Sequence, residues 1–289
     1  MVKSLYKFMP FREIFFENFL LRASHINTLN DPFEMEPSLE WWANLFLELK
    51  HYRFGPTKEE IFSYIRMQNL NSPWRHLGTD LFKEYGIISF TETKENILMW
   101  SHYSNNHTGI VIEFDLSHSF FSEKFREKED SYLGSPQKVL YRRERLITSD
   151  YLLEPYFHKS SDWIYEQEYR MLLKLSNSDK ILINKDYCDK KFEDAGVFSS
   201  YKGGLEKINE NFFEIRNSYN TSLLNNPNTM FMFKVSPDAI KSVYLGCRMK
   251  DEDINKLIEL KEREDLKQHI KLYKSSIHDK RYELIFFEI

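Results

Sequence analysis

Three segments of this 289-residue chain carry side chains whose types and spacing could do chemistry. The first is Trp163-Ile164-Tyr165-Glu166-Gln167-Glu168-Tyr169-Arg170. On a β-strand alternate residues share a face, so Glu166, Glu168 and Arg170 would point the same way, with neighbours ~7 Å apart. Two carboxylates and a guanidinium are costly to bury unless they pair or line a cleft. Such a group can grip a ribose diol and stabilise a developing oxocarbenium ion; the plainer alternative is a solvated edge with a surface ion pair. The second segment is Met99-Trp100-Ser101-His102-Tyr103, followed by His107. A helix places Trp100 and Tyr103 on one face and His102 elsewhere, towards a cleft. Two rings so placed could clamp a flat heterocycle, or they could be core. The third, Asn30 to Glu34 (NDPFE), joins two acids to a rigid turn. Asn30 and Asp31 can bond their own backbone and Pro32 fixes φ, which is also what an ordinary turn closing a first hairpin requires.

Composition removes several other chemistries. Cys188 and Cys247 are the only cysteines, with no CxxC, so a disulfide scaffold and a structural zinc cluster are excluded. His102 and His107 have no HExxH context and no third ligand at metal spacing. There are 44 acidic and 40 basic side chains, a net charge of -4, which excludes a generally basic nucleic-acid coat. Arg142, Arg143 and Arg145 form a local basic run that suits phosphate or a solubilising strand edge. Ser89 lacks a GxSxG context, which argues against a serine hydrolase. With nine glycines, and neither GxGxxG nor GxxxxGK[ST], the chain has no glycine-rich phosphate loop, so any nucleotide must be held another way. Apolar runs such as Ile97 to Trp100 and Gly109 to Ile112 fall far short of the ~20 residues a membrane span needs. Lys3, Lys7, Arg12, Glu13, Glu17 and Arg22 interrupt any signal-peptide core, so a cytoplasmic location is expected.

The elements that must position these residues follow from pattern. Leu5 to Phe8 reads as an opening strand, and Glu13 to Leu21 as a helix or second strand. Apolar spacing is helical over Glu40–Leu49 and Thr57–Met67, the latter with a capping box from Thr57 to Glu60. Asp80 to Tyr85 closes that helical block. Gly86–Thr91 reads as a strand, Asn96–Asn105 as a helix, and the β-branched GIVIEFD of Gly109–Asp115 as the clearest strand. Lys138–Tyr141 is a short strand, and Trp163–Leu175 a turn or helix end passing into a strand. Met230–Val235, Ile240–Leu245, Ile270–Tyr273 and Tyr282–Phe287 are strands around a helix at Asp251–Glu264. The charged, Asn-rich stretch 179–228 is expected to be a helical insertion. Helices early and strands later give a single α+β domain over 1–289, not regular βαβ winding.

In order, LYKF, LNDPFE, GIISFTE, ILMWSHYSNNHTGIVIEFD and WIYEQEYRMLL resemble a bacterial family catalogued as domain of unknown function 2971, over roughly Leu5 to Leu173. More distantly, an opening strand with an aromatic-basic pair, a strand bearing Ser-x-Thr, a helix, a β-branched strand and a strand bearing E-x-E resemble the ADP-ribosyltransferase layout. That resemblance implies split antiparallel β-sheets that bind NAD as substrate in the cleft between them, with no metal. It implies Glu168 as the catalytic glutamate on the nicotinamide ribose and Glu166 as the acid that orients the acceptor. Ser89 and Thr91 would match the polar residues of the middle strand. Tyr6 and Lys7 would stand where the superfamily places an arginine or histidine. Asn30, Asp31, Trp100, His102, Tyr103 and Arg170 complete the expected cofactor-binding set, with Trp100 or Tyr103 packing the nicotinamide. It leaves the acceptor open among a protein, a nucleic acid, a small molecule and water, the last making the chain an NAD glycohydrolase. Orphan bacterial members serve in conflict, so a toxin or phage-defence role follows, with a neutralising or companion defence protein as partner. Two other classes fit the residues. A metal-dependent nuclease would use Asp31, Glu34, Glu113, Asp115 and Glu168, and a non-catalytic nucleotide sensor would keep the fold without the chemistry.

Overall fold

The computed structural model describes residues 2–50, 55–67, 82–127, 132–184, 205–216, 223–224, 228–262 and 269–289. Their architecture is mixed α+β, with thirteen strands in one mostly antiparallel sheet. Its centre is the pair β3 (Tyr85–Thr91) and β8 (Glu168–Lys174), antiparallel from Tyr85↔Lys174 to Thr91↔Glu168. The other edge of β3 is shared. β2 (Leu20–His25) pairs with its start, Ser24↔Ile87 and His25↔Gly86, while β1 (Ser4–Met9) touches its end, Tyr6↔Thr91. Between those contacts the carbonyl of Ser89 accepts from Lys7 Nζ at 2.9 Å.

Two lobes leave from this point. From β1 run β4 (Ile110–Asp115), β13 (Ile240–Leu245), β14 (Lys271–Ile277) and β15 (Leu284–Glu288), antiparallel except for the parallel β13–β14 pair. From β2 run β12 (Thr229–Lys234), β9 (Lys180–Asn184), β11 (Phe212–Ile215) and β10 (Leu205–Lys207), all antiparallel. The described part of the expected helical insertion is therefore largely strand. Alternation of buried and half-buried residues in Lys180–Asn184 (KILIN) has period two, and β9 completes the sheet beside β12. The remainder of that stretch, and Asp80 with Leu81 of the expected helix end, lie outside the described residues. Tyr85 opens β3.

Local signals elsewhere act as their chemistry dictates. Helix α1 (Glu13–Asn18) ends on Phe19 in a left-handed conformation (φ 52°), which turns the chain into β2. Helix α2 spans Leu39–Glu48, with Ser38 as its N-cap, and α3 spans Lys58–Met67. Thr57 and Glu60 form the reciprocal box, the Glu60 N–H donating to Thr57 Oγ1 and the Thr57 N–H to Glu60 Oε2. Helix α4 (Ile97–Tyr103) is capped by Asn96, whose Oδ1 accepts from the N–H groups of Leu98 and Met99. Asn105, Asn106 and His107 then take left-handed conformations. Gly109 follows because a Cβ there would lie 2.4 Å from the Met9 carbonyl oxygen.

The largest apolar cluster joins both lobes through Leu5, Leu21, Ile88, Phe114 and Phe231. A second gathers Trp41, Trp42 and Phe46 of α2 with Phe82, Tyr156 and Leu172. A third packs Phe8, Trp100, Val111 and Tyr244 between β1, α4 and β4. No helix among the described residues is long and apolar enough to cross a membrane.

Candidate functional site: a buried charge cluster in a cavity

A cavity of about 370 Å³ opens where β1 and β2 part across β3. Strand β1 contributes Tyr6, Lys7 and Phe8, and β3 contributes Ser89, Phe90 and Thr91. The turn after β2 brings Thr28, Leu29, Asn30 and Glu34, and α4 brings Met99 and Tyr103. Lys159, on the short strand β7 (His158–Ser160), closes the wall with Glu166, Glu168 and Arg170.

The charged groups interlock. Arg170 grips Glu168 with two donors, Nε to Oε1 and Nη2 to Oε2, both at 2.9 Å. Its Nη2 also donates to Glu34, and its Nη1 donates to the Tyr156 carbonyl at 2.7 Å. Lys159 Nζ reaches Glu166 at 2.6 Å, Glu34 at 3.1 Å and Glu168 at 3.3 Å. Tyr103 donates its hydroxyl proton to Glu166 at 2.5 Å and is itself bonded by Asn30. The Glu168 N–H donates to the Tyr141 oxygen at 2.8 Å. All five charged groups are at least nine-tenths buried.

Electrostatics follow from that packing. Burial alone would raise the Glu168 carboxyl, but Arg170 and Lys159 hold it down to about 2. Burial opposes charge on Lys159 and Arg170 as well, yet Glu168 and Glu34 push both upward. Burial, then the Glu166 charge, pushes Tyr103 well above an ordinary phenol, so its hydroxyl keeps its proton at neutral pH. Lys7 is lowered to about 8, because burial outweighs the attraction of Glu168. Three carboxylates thus face Lys159 and Arg170, with the Lys7 ammonium as a third cation beside Glu168.

Of the twelve residues expected to bind or act on NAD, the fold brings nine to this cavity: Tyr6, Lys7, Asn30, Ser89, Thr91, Tyr103, Glu166, Glu168 and Arg170. Three lie elsewhere. Trp100 is fully buried, edge-on to Phe8, with its Nε1 donating to the Lys94 carbonyl at 2.7 Å. The helical face it was expected to share with Tyr103 splits, because α4 packs Trp100 into the core and leaves Tyr103 at the cavity. His102 is exposed beside the Tyr103 and Tyr165 rings. Asp31 is buried in the turn, its Oδ1 accepting from the Phe33 N–H at 2.9 Å. The strand face that Glu166 would share with Glu168 and Arg170 does not extend to Glu166. Glu166 ends a 3₁₀ segment, Ser161–Glu166, and Gln167 is left-handed, so β8 begins at Glu168. The acids converge through Lys159, not through strand period alone.

Lys159, Glu34 as an ion-pair partner, and Tyr141 carry no local sequence signal for these roles. Only the length-matched pairing of β7 with β6 (Leu140–Arg142) brings Tyr141 and Lys159 together. Of the five acids considered for a nuclease, Glu113 accepts from Tyr244 and Asp115 from Ser117. Neither they nor Asp31 line the cavity. Glu34 and Glu168 already hold Lys159 and Arg170, and no set of three His, Cys, Asp or Glu residues able to hold a metal occurs among the described residues.

A mixed α+β chain with a closed charge cluster at the parting of its sheet is the class that fold and site define. A family model described as a protein of unknown function (DUF2971) matches residues 99–171, about a quarter of the chain, which include most of α4, all of β4 and the Glu166–Glu168–Arg170 string. No curated protein and no solved structure matches the chain.

Proposed function

We propose that this chain is an ADP-ribosyltransferase-like enzyme that cleaves NAD at the nicotinamide–ribose bond and passes ADP-ribose to an acceptor. One observation carries the reading: Glu168 and Glu166 are buried in the wall of a cavity that Tyr6 and Lys7 of the first strand, Ser89 and Thr91 of the third, and Tyr103 also line. The divergence of β1 and β2 across β3 supports the finer description of two split antiparallel sheets with the substrate between them.

The Glu168 carboxylate favours a cationic nicotinamide ring and, more strongly, the positive charge that develops on the ribose as the C1′–N bond breaks. The bonding pair leaves with neutral nicotinamide. The acceptor's nucleophile bonds C1′ and its proton passes to solvent. Glu168, fixed by Arg170, Lys159 and Ser89, needs no reorganisation to stabilise that charge. Glu166 orients the acceptor and the Tyr103 ring packs the nicotinamide. Residues of this chain suffice for the reaction so drawn, without a metal ion.

The same ion pairs favour a second reading. Carboxylates already answered by Lys159 and Arg170 suit a nucleotide-binding module that does no chemistry. Glu168→Gln separates the two. The enzyme reading expects NAD turnover to fall on the order of 10²- to 10³-fold, with NAD still bound in calorimetry and the variant folded at the assay temperature. Unchanged turnover removes Glu168 from the chemistry, and wild-type binding with no turnover selects the module.

A further inference from the structure

A second cavity, about 280 Å³, lies between β1 with α1 and the strands β2, β9, β11 and β12. Its charged lining is entirely cationic among the described residues: Lys7, Arg12, Arg22 and Lys180. Lys180 is answered by Glu214 at 2.8 Å. Arg22 is not. It is half-buried, and its Nε is enclosed without a hydrogen-bond partner. Burial, and after it the neighbouring Arg12 charge, pushes the Arg22 guanidinium below its ordinary value. Neither acid of α1, Glu13 or Glu17, lines the cavity, and Glu13 is taken by Lys256 at 3.1 Å. The rest of the lining includes Leu20, Leu182, Phe212, Met230 and Met232, with Met232 paired across the sheet to Arg22 on one side and Lys180 on the other.

We propose that this cavity is a binding site for a phosphate-bearing ligand with a flat apolar body, a nucleoside diphosphate or its equivalent, held at the phosphate by Arg22, Arg12 and Lys7. A guanidinium such as that of Arg22, whose Nε loses water without gaining an acceptor, is costly, and an anion gives it one. Two guanidiniums and an ammonium match a multiply charged head better than a single carboxylate, which would leave positive charge unanswered. Arginine's planar fork also fits phosphate oxygens in pairs. The apolar lining, with the Phe15 and Phe212 rings and the Met9, Met230 and Met232 thioethers, offers contact for a base face. The inference goes beyond the reaction proposed at Glu168 and does not need it.

Calorimetric titration of the full chain with ADP, inorganic pyrophosphate, adenosine and dodecyl phosphate tests it, with binding as the readout and no turnover involved. ADP is expected to bind more tightly than either pyrophosphate or adenosine, and to weaken as salt rises. Arg22→Ala should weaken ADP at least tenfold. Arg12→Gln, at an exposed position, should weaken it severalfold. No ADP binding at millimolar concentration, or the same affinity in both variants as in wild type, overturns the site. Pyrophosphate equal to ADP, or dodecyl phosphate tighter than ADP, overturns the nucleoside class.

Discussion

Lys7 and Ser24 line two cavities that treat charge in opposite ways. On the glutamate side every acid has a cation within 3.3 Å, and Arg170 uses all three of its nitrogens. On the arginine side Arg22 has no acid and an enclosed Nε without a partner. A self-neutralised cluster fixes its own geometry before any ligand arrives, which is the condition for stabilising a transition state by preorganised charge. An unanswered set does the reverse: it contributes little to the fold and stays free for an anion. The contrast separates groups that hold the structure from groups that wait for a ligand, and substitution can probe it from either side.

The largest effect should come from the closed side. Arg170→Met removes the bidentate partner of Glu168 and the contact to Glu34, leaving buried carboxylates short of a counter-charge. A loss of about 3–5 kcal/mol in denaturant-unfolding free energy is expected. Arg12→Gln, on the open side, should shift stability by no more than about 0.5 kcal/mol. Similar losses in the two variants would erase the distinction.

Acid and alkali should then act in opposite senses. Glu168 is depressed from 4.5 to about 2, so its stabilisation is complete above pH 4.5 and is lost as pH falls through 2, about 3 kcal/mol if the group acted alone. Lys7 is depressed from 10.5 to about 8, so between those values the unfolded chain binds more protons and stability rises with pH. That gain should be about 1 kcal/mol, since Lys7 keeps some contact with solvent. Urea midpoints from pH 3 to 10 check both limbs. The alkaline rise should vanish in Lys7→Met, and its persistence there would assign the proton to another group.

How much of this was legible in the sequence depended on whether the deciding forces were local. β1, β3, α4, β4 and β8 are marked by period, caps and β-branched runs, and they fall where those signals place them. The acid string WIYEQEYR announced buried charge because Glu166, Glu168 and Arg170 lie within five residues. Lys159 and Glu34 answer that charge from distant segments, and one lysine among 40 basic residues carries no mark of its partner. Trp100 misled because helical spacing says which residues share a side, not whether that side meets core or cavity. The polar, Asn-rich composition of 179–228 concealed β9, whose alternation spans only five residues, and β11, whose four residues show none, and their pairing with β12 and each other is long-range. Arg22 gave no sequence signal, because what distinguishes it is the lack of a neighbour.

The smallest effect tests the edge of the closed cluster. Tyr103→Phe deletes one hydroxyl that donates to Glu166 at 2.5 Å and keeps the ring. Lys159 still holds Glu166 at 2.6 Å, so the carboxylate is not stranded and the stability loss should be about 1 kcal/mol. Because burial and Glu166 keep that hydroxyl protonated, its removal should also leave the neutral-pH activity profile unshifted. If the ring packs the nicotinamide, Tyr103→Ala should raise KM for NAD severalfold where Tyr103→Phe does not. Equal KM values in the two variants would confine Tyr103 to bracing Glu166, and would place the nicotinamide against another wall of the cavity.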